Sequence, residues 1–272
     1  MKRNPVIGLI AAMVLCLSCS VKEDREPCPC WLGIDLQQCG SIHDNRLGQD
    51  ITFSAMDVVV SAWNDGFLFQ QKVGHEDYGQ LYEKAVPKSY VSTSVVHGEK
   101  TMRRDGQELV IPEGKEADPI FAYAAQVGCF QEFARDTARL HKQFARVRMK
   151  VENPVGESYP YRFRLRSDTK GLDLRDLRPL EGPAGMDLER GTDDIVRFRL
   201  IRQREEGYTY IDVFNRETLL ESFPLHEWMK ELGYSWLAKD LQDIDINIDY
   251  AQGEVSVKVN DWGDGGSIRI EI

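Results

Sequence analysis

The amino-acid sequence predicts an all-β protein made of two β-sandwich domains in tandem, with one or two short helices in the second domain. Many short segments alternate apolar and polar residues, and a period of two is typical of half-buried strands. Turn residues separate these segments, and Asn64-Asp65-Gly66 between two β-rich runs predicts a hairpin. A chain of 272 residues is long for one sandwich, so two domains are expected.

The first domain is predicted to span residues 31–138. Its predicted strands are 31–36, 56–63, 67–70, 90–96, 109–111 and 119–127. The segment 37–50 is polar and contains glycines, so it is predicted to be a loop. The turn and loop stretch from 129 to 139 is predicted to separate the two domains.

The second domain is predicted to span residues 139–272, and it opens with the clearest alternation in the chain. Apolar residues alternate with Arg or Lys in three segments, 144–151, 161–166 and 196–200. Further strands are predicted at 208–214, 244–248, 255–259 and 267–272. Apolar residues at helical spacing predict a helix over 225–232 that ends at Gly233, and a second short helix near 236–241.

The basic residues of these strands indicate a charged solvent face. Like charges placed directly opposite each other destabilise a sheet, so acidic residues are expected between them. Asp243, Asp245, Asn247 and Asp249 alternate along one predicted strand. A straight strand cannot wrap its oxygens around Ca²⁺, and the loop 260–266 is better read as a hairpin turn than as a calcium site. No metal site is predicted.

The N-terminal residues have the layout of an export signal. Lys2 and Arg3 precede an apolar run from Val6 to Leu17, and Ser18 is the small residue before a cleavage point. The run is shorter than the roughly 20 residues that span a bilayer. The segment 15–19, which ends in Cys19, resembles a bacterial lipobox. Residues 1–18 are therefore predicted to be a lipoprotein signal peptide and Cys19 the lipidated residue; the alternative is ordinary secretion with an incidental cysteine.

Residues 19–30 are predicted to be a charged tether behind the lipid. Lys22-Glu23-Asp24 looks like the surface-export signal of Bacteroidetes lipoproteins, which implies display on the outer membrane; the alternative is a charged tether without that role. Removal of residues 1–18 takes Lys2 and Arg3 with it and changes the formal net charge from −10 to −12. This acidic balance excludes the basic footprint that nucleic acids or an anionic bilayer face require.

Four cysteines follow Cys19: Cys28, Cys30, Cys39 and Cys129. They allow three full pairings, and disulfides form in exported proteins. One structural disulfide is predicted between the 28–39 segment and Cys129, with buried free thiols as the alternative. The spacing of Cys28-Pro29-Cys30 does not fit a zinc knuckle.

The sequence contains no recognisable catalytic motif. The five histidines share no metal-ligand spacing, and there is no HExxH motif, nucleophile elbow, P-loop or dinucleotide fingerprint. No catalytic residue, no cofactor and no small-molecule substrate are predicted, and the protein is not expected to be an enzyme.

The order of several motifs resembles the FimB-type fimbrial anchor lipoproteins of Bacteroidetes, which are minor subunits of type V fimbriae. The shared motifs are the lipobox Cys19, Cys28-Pro29 before the first strand, Trp63-Asn64-Asp65-Gly66, Phe144-Ala145-Arg146-Val147, and 240–244 followed by Asp261-Trp262. The resemblance implies two transthyretin-like β-sandwiches. It also implies attachment of a fimbrium to the outer membrane through the lipid, and binding of a fimbrial stalk subunit by β-strand addition.

The last predicted strand is the candidate for strand addition. Ile268, Ile270 and Ile272 alternate with polar residues, as a donated strand requires, and the glycines at 263, 265 and 266 would let the segment swing out. The alternative is a last strand that pairs within its own domain.

The alternative function is that of a surface glycan-binding lipoprotein, which would use exposed aromatics such as Trp31, Trp63 or Trp262. Tryptophans in apolar surroundings are more often part of a core.

Overall fold

The computed structural model describes residues 28–44, 49–52, 57–152, 161–193, 195–249, 254–259 and 267–271. Residues 1–27, which include the predicted signal peptide, Cys19 and most of the predicted tether, lie outside these ranges, as do Ile272, Trp262 and the glycines at 263, 265 and 266. The strands of the described residues are β1 Cys30–Asp35, β2 Ser41–Asp44, β3 Gln49–Thr52, β4 Val58–Trp63, β5 Phe67–Val73, β6 Leu81–Val86, β7 Tyr90–His97, β8 Arg103–Asp105, β9 Glu108–Val110, β10 Phe121–Gly128, β11 Phe133–Thr137, β12 His141–Lys142, β13 Phe144–Glu152, β14 Tyr161–Asp173, β15 Pro179–Leu188, β16 Ile195–Ile201, β17 Thr209–Asn215, β18 Thr218–Phe223, β19 Ile244–Asp249, β20 Glu254–Val259 and β21 Ser267–Glu271; the α-helix is α1 Leu225–Glu231.

The first sandwich packs a three-stranded sheet against a five-stranded sheet. The strand orders are β11-β1-β6 and β12-β10-β7-β4-β5. Alternate residues of β1 and β4, such as Leu32, Ile34, Val58 and Val60, meet in one buried core. This arrangement confirms the predicted all-β class and the alternation from which the strands were predicted.

Two loop predictions in this domain are wrong. Residues 133–137 form β11, which pairs in parallel with β1 from the Trp31–Phe133 position onward. The side chains of β11 are exposed or half-buried, so the strand has no apolar alternation and is held by backbone pairing at the sheet edge. Part of the predicted loop 37–50 forms a 3-10 turn over 37–40 and the small hairpin β2–β3.

The second sandwich packs β16-β13-β19-β20-β21 against a sheet of order β18-β17-β14-β9-β8, with β15 also paired to β14. Its core contains apolar residues of both sheets and of α1, whose Trp228 and Met229 are buried. Gly233, with φ of +72°, lies just past the helix as predicted. The prediction of a second helix is wrong, because residues 236–241 form turns. The Ala238 carbonyl in this segment accepts a hydrogen bond from the buried Arg202 guanidinium.

A hairpin of the first domain's sequence completes a sheet of the second. β8 and β9 form a hairpin, and β9 pairs with the end of β14 at Gly171–Asp173. A Cβ on Gly171 would lie 2.0 Å from the Leu109 carbonyl oxygen, so only glycine allows this approach. A third apolar cluster, which includes Trp63, Leu109 and Leu172, lies at this contact. The β8–β9 hairpin precedes the predicted domain boundary between residues 138 and 139, but it belongs to a sheet of the second domain.

Candidate anchoring and assembly sites

The chain enters the middle of a sheet directly after the residues predicted to form the tether. The described residues begin at Cys28, nine positions after Cys19, and β1 begins at Cys30. β1 pairs with β11 on one side and with β6 on the other. A pull on the tether would therefore load two ladders of backbone hydrogen bonds rather than a sheet edge.

The cysteines divide into one neighbouring pair and two separate residues. The thiols of Cys30 and Cys129 are buried and within hydrogen-bond contact of each other. Burial, together with the neighbouring Cys30, raises the pKa of Cys129 to about 12. Cys39 lies elsewhere in the core, 3.5 Å from the Ala138 carbonyl, and Cys28 is exposed. All four described thiols are free, so the disulfide stays a prediction, with Cys30 as the geometric partner of Cys129.

The candidate partner strand is an outer strand of its sheet. β21 pairs in antiparallel fashion with β20, with Ile268 opposite Val257 and Ile270 opposite Val255. It is the last strand of the order β16-β13-β19-β20-β21. An edge strand offers a row of backbone donors and acceptors to another chain. Its use in strand addition stays a prediction.

Arginines of β13 and β16 lie directly opposite each other on the outer face of the same sheet, so the expected acids flank these pairs rather than separate them. Arg148 lies between Arg197 and Asp245 across three neighbouring strands. Arg197 binds Asp193 at 2.5 Å, and Arg199 pairs with Glu116. The structure therefore has the mixed-charge face that the sequence predicted, in which each like-charge contact has an acid beside it.

Asp243 is the most enclosed of these acids. Its Oδ1 accepts hydrogen bonds from the Lys142 ammonium at 2.5 Å and from the Arg146 backbone N–H at 2.8 Å. The Arg146 guanidinium lies 3.8 Å from its other oxygen. Asp245, the next acid along the chain, lies opposite Arg148 of β13. The described residues contain no cluster of three metal-ligating side chains.

The segment that joins the sandwiches is held by hydrogen bonds from the second domain. Asp240 accepts one from the Lys142 N–H at 2.7 Å and contacts His141 Nδ1 at 2.9 Å. Burial opposes the charge of Asp240, but these hydrogen bonds outweigh it and lower the pKa of the carboxyl. The buried guanidinium of Arg202 donates to Gln143 at 2.8 Å and to the carbonyl of Ala238 at 2.7 Å. The connection is therefore a hydrogen-bonded junction rather than a free linker.

A second buried acid fixes the segment that leads into β8. Asp118 accepts hydrogen bonds of 2.7 Å from the N–H groups of Lys100, Thr101 and Met102, and one from the Thr101 hydroxyl. Burial by itself would raise its pKa, yet the four hydrogen bonds reverse the direction and lower it. This carboxylate orders the backbone from which the hairpin β8–β9 reaches the second domain.

Three of the described histidines make hydrogen bonds within the fold. Besides the His141 contact with Asp240, His97 Nδ1 lies 2.7 Å from the Asp57 carbonyl, and His226 Nε2 lies 3.0 Å from the Glu205 carbonyl. An open groove of about 370 Å³ lies between the domains. His141 and Arg202 line this groove, and their side chains already contact Asp240 and Gln143 of the junction. Within the described ranges, no helix has the length and hydropathy needed to cross a membrane.

Sequence reasoning missed two exposed apolar features. Trp31 is half exposed, so the expectation that tryptophans lie in the core is wrong for it, whereas Trp63 is buried. Its place opposite core-facing Leu32 and Cys30 in the β1 alternation could have indicated this exposure. The outer strand β18 exposes Leu219 and Leu220 on consecutive positions, a pattern that period-two reasoning does not assign to one face.

Comparisons with known proteins place the fold. Neither protein-family models nor curated proteins match the sequence. Among solved structures, the fimbrial anchor protein Mfa2 from Porphyromonas gingivalis matches with a TM-score of 0.57 and 12% identity, over 86% of this chain and 98% of that chain. A Bacteroides thetaiotaomicron protein described as a candidate polysaccharide-binding protein matches with a TM-score of 0.57 and 13% identity, over 89% and 98%. A candidate adhesin from Bacteroides ovatus matches with a TM-score of 0.55 and 12% identity, over 92% and 97%. The fold is therefore shared with fimbrial anchor and adhesin-like structures of Bacteroidetes over nearly the whole chain.

Proposed function

We propose that this protein is a cell-surface lipoprotein that serves as an anchor or accessory subunit of a fimbrium and attaches the fibre to the outer membrane. The observation that carries the proposal is the common fold with the Mfa2 fimbrial anchor, which extends over both sandwiches. The lipobox-like segment ending at Cys19 supports it, because an anchor needs an attachment to the membrane. Several acyl chains, at about 0.8 kcal/mol for each buried methylene, make such attachment effectively permanent.

The described structure suits a part that carries load between a lipid and a fibre. β1 is hydrogen-bonded to a neighbouring strand on each side, so the tether leads into a strand that is held along both of its edges. The junction around Arg202 and Asp240 then connects the two sandwiches by hydrogen bonds. The load path from Cys19 to the second sandwich contains no free linker among the described residues.

The fibre is joined at the C-terminal edge of the second sandwich. β21 contacts one neighbouring strand and follows a segment that contains three glycines. If β21 is donated to a stalk subunit, its isoleucines set the register and its backbone supplies the hydrogen bonds. β20 then becomes the outer strand of the remaining sheet.

Affinity purification from the native membrane, followed by mass spectrometry, tests this assignment. The full chain should recover a fimbrial stalk subunit, and deletion of residues 266–272 should abolish that recovery while the circular dichroism spectrum stays that of a β protein. The matched control is the double substitution Leu219→Ser and Leu220→Ser on the other exposed outer strand, which should leave recovery unchanged. Recovery that survives the deletion removes the strand-donor model, and recovery of no fimbrial protein by the full chain contradicts the anchor proposal itself.

A further inference from the structure

Exposed aromatic side chains are concentrated in one part of the first sandwich. Among the described residues, five of the nine exposed large apolar side chains lie there, and each is between 47% and 59% exposed. We name this group the aromatic rim; its members are Trp31, Phe67, Tyr90, Phe130 and Phe133. Tyr90 and Phe130 pack edge to face, with ring centroids 4.8 Å apart.

Strand pairing places all five residues at one end of the sandwich. Tyr90 begins β7 opposite Gly128, the last residue of β10, and Phe130 follows two positions later. Phe133 begins β11 opposite Trp31. Phe67 follows the turn after Trp63, which pairs with Ser92 near the start of β7.

The two sheets meet at this end. The Trp31 N–H donates to the Glu132 carbonyl and the Cys129 N–H donates to the Ser89 carbonyl, each at 2.8 Å. These hydrogen bonds connect β1 and the β6–β7 loop with the β10–β11 loop. The rings therefore surround one end of the sandwich rather than line a single face of a sheet.

This end is the one at which β1 begins. The second sandwich follows from the other end, although its 175–178 turn also borders Ser92 and Gln126 on the outer face of the five-stranded sheet. β1 begins here at Cys30, whereas the far ends of β7 and β10 meet at His97 and Phe121. Phe144, the first residue of the second sandwich, packs against Phe121 with ring centroids 5.3 Å apart. Nine residue steps separate Cys19 from Cys28, and an extended chain of that length spans at most about 30 Å.

We propose that the aromatic rim rests in the interfacial region of the same membrane that holds the lipid on Cys19. The inference rests on the proposed anchoring through Cys19. Trp and Tyr are favoured at the boundary between headgroups and hydrocarbon, and Phe buries its ring in the adjoining apolar layer. A short tether brings the rim to that boundary, and no other exposed aromatic cluster lies near the tether in the described residues.

Electrostatics neither require nor oppose this contact. The loops between the rings carry charges of both signs, Lys88 in one and Glu132 in another, with Asp65 at the hairpin turn. The acidic chain has no basic patch at this end that would demand anionic lipid. Contact with the membrane is therefore through aromatic burial.

Photocrosslinking of the full, lipidated protein tests the rim. The protein is reconstituted in phosphatidylcholine–phosphatidylethanolamine vesicles, with p-benzoylphenylalanine in place of Phe130 or Tyr90. The matched control carries the same group in place of Tyr208, an exposed aromatic of the second sandwich. Lipid adducts, identified by mass spectrometry, are expected at positions 130 and 90 and at background level at 208. The replaced side chains are exposed, and circular dichroism verifies that each variant is folded.

The outcomes separate the rim from the anchor proposal because intact mass first reports acylation of Cys19. An acylated protein without lipid adducts above the control at 130 and 90 overturns the rim and leaves the anchor standing. A protein without acylation contradicts both. When the same variants are irradiated on native membranes, adducts with a protein or a glycan in place of lipid also overturn the rim, and a glycan adduct would favour a carbohydrate-binding role for these rings.

Discussion

The outer faces of two sheets in this molecule follow the same alternation but carry opposite chemistry. In the second sandwich, the outer face of β16-β13-β19 holds paired arginines with acids beside them. In the first, the outer face of β11-β1 holds Trp31 beside Phe133, and Gly33 leaves room for the Phe133 ring, which would lie 3.1 Å from an added Cβ. The comparison shows that a period of two identifies which side chains point outward. The type of those side chains and of their neighbours then determines whether the outer face is charged and hydrated or aromatic and exposed.

Removal of the enclosed acid on the charged face should have the largest effect on stability. Asp243→Asn takes the negative charge away from the Lys142 ammonium and from Arg146. Breaking one partner of a largely buried ion pair costs about 3–5 kcal/mol, so urea denaturation should show a loss of about 3 kcal/mol. The control is Asp193→Asn, which removes the exposed partner of Arg197 and should leave the unfolding midpoint unchanged. Equal losses in both variants would show that enclosure does not distinguish these acids.

The next largest effect on stability should come from a disulfide between Cys30 and Cys129 of the first sandwich. Oxidation of Cys30 and Cys129 would close a long loop and stabilise the fold by about 2–4 kcal/mol. Protein exported to an oxidising compartment and then denatured without reductant should therefore show two reactive thiols among the four described cysteines. Cys39→Ser should lower that number by one, whereas Cys129→Ser should leave Cys30 reactive. Four reactive thiols in the wild-type chain would contradict the disulfide.

Substitution of an exposed ring of the aromatic rim should have the smallest effect on stability. Trp31→Ser removes a half-exposed ring, so the free energy of unfolding should fall by less than about 1 kcal/mol. Trp63→Ser is the matched control, since this buried indole belongs to the core between the domains and its loss should cost about 3–5 kcal/mol. Similar losses for the two tryptophans in denaturant titrations would mean that Trp31 packs as a core residue.

The second sandwich was the more predictable part of the fold. Arg146, Arg148 and Lys150 alternate with buried apolar residues. In the first sandwich, the hairpin around Asn64-Asp65-Gly66 was predictable because it has a local turn signature. The parallel pairs β1–β11 and β13–β19 connect segments about a hundred residues apart, and no local pattern records such pairing. A strand was predicted at 109–111, but the pairing of β9 with β14 was hidden for the same reason, because β14 lies far along the chain.

The candidate sites were predictable only where a short motif carries the chemistry. The lipobox at Cys19 is such a motif, and the last strand could be recognised from Ile268 and Ile270. The partner of Cys129 depends on which strand lies beside it, so the sequence left three pairings open. The aromatic rim combines residues from β1, β5, β7, β11 and a loop, and only the folded register brings them to one end.

Release from the cell is the most direct test of the anchoring account. A Cys19→Ala variant, expressed in its native host, should leave the protein and the fibre it anchors in the culture medium, while the wild-type chain keeps both with the outer membrane. On the proposed account, the acyl chains on Cys19 supply nearly all of the membrane affinity, and the rim alone is too weak to hold a fibre. Immunoblots of medium and membrane fractions, with electron microscopy of the fibres, give the result. Fibres that stay on cells carrying the variant would contradict the account.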